Sequence, residues 1–116
     1  MKYMMLIAGS EDEEARGPEA ERAAIYERIR SWWGEQATAG RVIDGYELQP
    51  STIATTVRVA RDGSTSVTDG PFVEAKEMVG GYGILEVANL DEALAVASSW
   101  PGSAALEIRP IVESGA

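Results

Sequence analysis

Between Val67 and Glu77 the chain sets Asp69, Glu74, Lys76 and Glu77 around the turn Asp69-Gly70-Pro71-Phe72, and Gly80-Gly81 follows before an apolar run. Four ionisable side chains within nine residues is more than a connection usually carries. A carboxylate such as Asp69, raised toward neutral pH by burial, would serve as a general acid or base, and Lys76 would hold an anion. Further on, Glu107 and Arg109 stand two apart in a segment of strand pattern, which puts them on one face. Tyr82 and Glu86 are expected to face the same way from their own strand. The candidate catalytic groups are therefore Asp69 and Glu86. The candidate ligand-binding groups are Lys76, Tyr82, Glu107 and Arg109, with Arg109 suited to gripping a carboxylate or phosphate.

Each candidate also has a plainer reading. Asp-Gly-Pro makes a turn unaided: Asp accepts from its own turn, Gly supplies unusual dihedrals, and Pro fixes the exit. Glu74, Lys76 and Glu77 read as an exposed ion-pair cluster contributing under ~1 kcal/mol per pair. Glu107 and Arg109 read as a pair that fixes an interface, since charges there must be paired or solvated. The Gly70-Pro71 bond is open to either isomer.

Composition narrows the chemistry. The chain has no histidine, so it has no imidazole base and no Ser-His pair. It has no cysteine, hence no thiol nucleophile and no disulfide, which suits a cytoplasmic protein. Zinc, copper and non-haem iron normally need those side chains, so no metal and no cofactor is expected. The formal net charge of −9 disfavours nucleic acid and anionic membrane as partners. No segment reaches the ~20 apolar residues of a membrane span. The apolar N-terminus lacks the flanks of a signal peptide and reads as a buried first strand.

The elements follow from periodicity. Residues 2–8 are apolar at nearly every position and predict a strand covered on both faces. A polar loop over Gly9–Glu14 is expected to be mobile. Pro18 opens a helix carrying Ile25, Ile29, Trp32 and Gln36 at helical spacing, widened by Trp33 and Ala37, and Gly40 stops it. Val42–Leu48 predicts a short strand. Ile53 to Ala60 alternates as a half-buried strand, and Asp62-Gly63 predicts a two-residue hairpin turn into Ser64–Thr68. Phe72 is expected to anchor the following turn onto the sheet. Tyr82–Ala88 predicts a strand. Asn89-Leu90-Asp91-Glu92 is a capping box opening a helix with Leu90, Ala93, Leu94 and Ala97 inward. Ala104–Val112 predicts the last strand.

Length fits one domain over residues 1–116. Strand–helix–strand, hairpin, strand–helix–strand predicts an α+β, ferredoxin-like split βαβ sandwich with an added β-hairpin. Its sheet is antiparallel, with both helices on one face. Two helices cover one face only, so the other is left apolar and bare, which marks an interface. The expectation is a homodimer with two sheets packed face to face.

These residues resemble the YCII-related family, in particular its DGPF subgroup. The likeness spans Met1-Lys2-Tyr3-Met4, Ala54-Thr55-Thr56-Val57-Arg58, the signature Thr68-Asp69-Gly70-Pro71-Phe72-Val73-Glu74-Ala75-Lys76-Glu77 with Gly80-Gly81-Tyr82, then Asn89-Leu90-Asp91-Glu92-Ala93 and Glu107-Ile108-Arg109-Pro110. The resemblance implies a bacterial subunit of a dimeric α/β-barrel. The His-Asp pair proposed as catalytic in smaller members cannot be carried over, because this chain has no His. DGPF-type members are often encoded beside sigma factors, which implies an accessory role in transcriptional regulation with a sigma factor as partner. The alternative is a metal-free enzyme acting on a small polar molecule by carboxylate acid–base chemistry.

Overall fold

Two central strands carry the most apolar sequence of the protein because both of their edges are paired within the sheet. In the computed structural model, which describes residues 1–11, 16–73 and 75–113, β1 (Lys2–Gly9) and β5 (Met78–Glu86) pair antiparallel at the middle of a four-stranded sheet. β2 (Val42–Glu47) flanks β5 and β6 (Ala105–Pro110) flanks β1, so the order is β2-β5-β1-β6 with every pairing antiparallel. The loop positions 12–14 and Glu74, to which mobility and an ion pair were assigned above, lie outside the described residues. Among the described residues two α-helices complete an α+β fold: α1 (Glu19–Thr38) and α2 (Leu90–Ser98).

Alternation sorts each strand. Tyr3, Met5 and Ile7 of β1 point to the helices and meet Leu85, Gly83 and Gly81 across the ladder, with Met5 and Leu85 fully buried. On that side Trp32, Val42, Ala93, Val96 and Ala97 close the core. Trp32, Trp33 and Trp100 stack mutually edge-on, with ring centroids 5.1–6.1 Å apart. The Trp32 indole donates to Ser99 Oγ at 2.8 Å. Glycine makes this possible on the sheet: a Cβ at Gly45 would stand 2.6 Å from the Tyr82 carbonyl oxygen and 2.9 Å from the Trp33 ring.

The helix ends obey their local signals. The Gly40 backbone has φ +75°, and the amides of Gly40 and Arg41 return to Ala37 and Gln36. Gln36 is buried, and its side-chain oxygen accepts from Arg41 Nε at 2.8 Å. Asn89 caps α2 by accepting from the Glu92 amide at 2.9 Å, while Glu92 accepts from Ala88 N–H at 3.2 Å. Some expected inward positions are not inward. Ile25, Ala37, Leu90 and Leu94 are exposed, since each helix buries a narrower stripe than its apolar content suggests.

The hairpin departs most from expectation. β3 (Thr55–Val59) pairs antiparallel with β4 (Thr65–Asp69) as a separate two-stranded sheet, and the two strands pack extensively only on each other. β3 is therefore not half-buried: Val57 and Val59 are exposed, and no element among the described residues covers them. The loop is Arg61–Gly63 rather than two residues, with Ala60 N–H bonded to Ser64 O and Gly63 at φ +87°. Phe72 does not anchor the turn onto the sheet; it is 72% exposed.

Candidate functional site

The sheet face away from the helices is the surface on which the candidate residues gather. Its rows are set by register. Tyr82, Leu6 and Glu107 form one row across β5, β1 and β6; Ile84, Met4 and Arg109 form the next; Glu86 stands opposite Lys2. Met4, Leu6, Tyr82 and Ile84 are half-buried, and no element lies above them among the described residues. This is the apolar open face expected from a sheet with helices on one side.

Charges rim that apolar floor. Arg109 Nε lies 3.8 Å from Glu107 Oε2, and both side chains are well exposed. At that length and exposure the pair contributes little to stability and leaves the guanidinium free to take another oxygen. Glu86 stands 3.9 Å from the N-terminal ammonium of Met1, which itself donates to Val87 O at 2.7 Å. Tyr82, Glu86, Glu107 and Arg109 thus share one face, as their alternation predicts.

Asp69 and Lys76 do not join them within the chain. Asp69 ends β4, in the other sheet, opposite Thr55. It is exposed, and its carboxylate has no hydrogen-bond partner among the described residues. The self-capping turn is therefore replaced by another device. Thr56 Oγ1 donates to the Gly70 carbonyl at 2.6 Å, Gly70 N–H bonds Ala54 O at 2.7 Å, and Arg58 reaches the Phe72 carbonyl at 3.3 Å. Gly70 takes φ +101°, and the bond to Pro71 is trans. Lys76 and Glu77 lie exposed ahead of β5 and make no ion pair with a described residue. Asp69 and Glu86, on separate sheets, do not form an acid–base pair in one copy.

One contributor escaped the sequence reading. Tyr46 stands opposite Tyr82, ring centroids 6.2 Å apart, and widens the floor along β2. A register shift between Val42 and Asp44 hides it, because the bulge moves the phase of β2 by one residue. The surrounding frame is firm: the Tyr26 hydroxyl donates to Glu47, and Glu11 accepts from Ser51 N–H at 3.0 Å and from its hydroxyl at 3.1 Å. Two surface depressions run along α1, one past Arg22 and Tyr26 and one past Trp32 and Pro101. No helix among the described residues is long and apolar enough to cross a membrane.

The profile of a family described as YCII-related domain matches residues 1–114. An uncharacterized protein of Rhizobium meliloti (strain 1021) is 30% identical over 115 residues, covering 96% of this chain and 92% of that protein.

Proposed function

The chain belongs to the family described as YCII-related domain, and from that premise we propose that it is a DGPF-type, cytoplasmic, homodimeric binding protein for a small anionic molecule. In this reading the four-stranded sheet and its two helices form a ferredoxin-like unit. Two such units bring their open faces together as a dimeric α/β-barrel and enclose the ligand between them. One observation carries it: a half-buried apolar floor of Met4, Leu6 and Ile84 lies uncovered and bears Arg109, whose long contact to Glu107 leaves donors to spare. Tyr82 and Glu107 flank the anion, Glu86 sets the rim, and Lys76 approaches from the loop before β5. The wider role is accessory, in transcriptional regulation with a sigma factor as partner.

A thermal-shift screen of small carboxylates, phosphates and phenols tests the ligand. A compound present at 100 times its Kd should stabilise the fold by about 2.7 kcal/mol. Arg109→Ala should erase that shift while the variant alone melts close to the parent, because the exposed pair contributes at most ~1 kcal/mol. Equal shifts in parent and variant would sink the site. Capture of a sigma factor by the tagged protein tests the partner, and recovery of this chain alone counts against it.

A further inference from the structure

We infer that the β3–β4 hairpin is an exchanged arm: its valine face lies over the Tyr46–Tyr82 side of a second copy's open sheet, and the second copy returns the same contact. The inference rests on the dimer proposed above and says what closes it.

The first observation is an excess of surface. The chain exposes 8342 Å², whereas a compact monomer of its mass exposes about 6,100 Å². The difference, about 2,000 Å², is of the size one partner contributes to a large permanent interface. The radius of gyration agrees: 16.4 Å, against about 13 Å for a compact chain of this length. The molecule measures 47 × 46 × 18 Å, broad and thin, so the added length lies in the plane of the layers.

The second observation locates that excess. Cross-strand pairing puts Val57 and Val67 side by side, with Val59, Thr55 and Thr65 on the same face, while Thr56, Arg58, Ser66 and Thr68 take the other. Val57, Val59 and Val67 are 57%, 69% and 64% exposed. A lone two-stranded hairpin is marginal in water, and an amphipathic one that packs extensively on no other element among the described residues needs an apolar cover.

Charge admits a second copy as that cover, and the excess area matches what one would bury. A chain of net charge −9 repels its twin wherever acidic surface faces acidic surface. These two surfaces carry little net charge. Within the β3–β4 ladder the valine face holds a single charge, Asp69, and on the open face Lys2, Arg109 and the Met1 ammonium offset Asp44, Glu86 and Glu107. Within the open face the β6 side is charged and the β2 side carries the tyrosine pair, so the valines fit the tyrosines. A two-fold dimer uses both surfaces of each copy and leaves neither bare. Asp69 shares the valine face, so seating the arm carries its carboxylate onto the partner's sheet, where a single chain does not bring it.

Sedimentation across a concentration series tests this with wild type and the double variant Val57→Asp, Val67→Asp. The expected result is a wild-type dimer whose Kd weakens on the order of 100-fold in the variant. A monomeric wild type overturns the dimer reading and the arm with it. A wild-type dimer unchanged by both substitutions overturns the arm alone. Because the chain has no cysteine, a second measurement covers a variant that fails to fold. Val57→Cys protein is allowed to exchange with Tyr46→Cys protein and is then oxidised. A disulfide-linked species of twice the chain mass supports the arm; a dimer that yields no crossed link overturns it.

Discussion

Thr56 in the first strand of the hairpin holds Gly70 in the turn that follows the second, its hydroxyl donating to the Gly70 carbonyl at 2.6 Å. The bond ties the exit of the arm to its entrance, and it does so across the Asp69-Gly70-Pro71 turn. Thr56→Val removes the donor with little change of shape and should cost about 1 kcal/mol locally. Gly70→Ala should cost ~1–2 kcal/mol, because φ +101° suits glycine alone. Amide exchange at Gly70, bonded to Ala54 O, is the measurement: it should accelerate in both variants while the β1 and β5 amides stay protected. Unchanged exchange at Gly70 would show that the clasp holds nothing.

Among the β2 and β5 glycines, Gly45 and Gly83 face the Trp33 ring, Gly81 faces the Tyr46 carbonyl, and Gly80 faces open space. Gly45→Ala would drive a methyl into the Tyr82 carbonyl and the Trp33 ring, and it should destabilise by about 1–3 kcal/mol. Gly80→Ala meets nothing within 4 Å. It should be neutral or slightly stabilising, by up to ~1 kcal/mol, through the unfolded chain. Thermal melts of the two variants should therefore move apart; a Gly45→Ala protein melting with the parent would mean that Trp33 yields freely.

The Asn89 cap is a single side chain serving the first turn of α2. Asn89→Ala should cost about 1 kcal/mol, visible as a lower urea midpoint with unchanged slope. Asn89→Ser should recover most of it, since a serine hydroxyl can accept from the Glu92 amide as the asparagine does. A serine variant no better than alanine would place the loss elsewhere.

The hairpin tip should respond to acid. Hydrogen bonds from the Ser64 hydroxyl and amide hold the Asp62 carboxyl below its ordinary pKa. A depressed folded-state pKa contributes stability above the unfolded value, lost as pH falls through the folded one. The tip should therefore hold at neutral pH and loosen only below about pH 4. The Ser64 amide resonance, followed through an acid titration, should shift with a midpoint below that of a free aspartate; Asp62→Asn should abolish the transition.

The framework was legible where local signals are strong. Pro18, Gly40 and the Asn89 box place the helix ends, and alternation alone puts Glu107, Arg109, Glu86 and Tyr82 on one face. What failed was burial. The alternation of Ile53 to Ala60 is the same whether a strand is covered by its own chain or by nothing, so Val57 and Val59 read as half-buried. Phe72, the one phenylalanine, reads as an anchor from its residue type and is exposed. Tyr46 was missed because one extra residue in β2 inverts the phase that alternation counts on.

All three tryptophans of the chain meet in one cluster, on the helix side of the sheet. Their indoles lie close enough to exchange excitation, so they emit as one chromophore. That chromophore joins α1 to the segment after α2 and stands a sheet's thickness from the open face. Its emission will track the docking of the helices and stay nearly silent to whatever settles on the other side. A single optical signal therefore separates loss of the fold from loss of assembly.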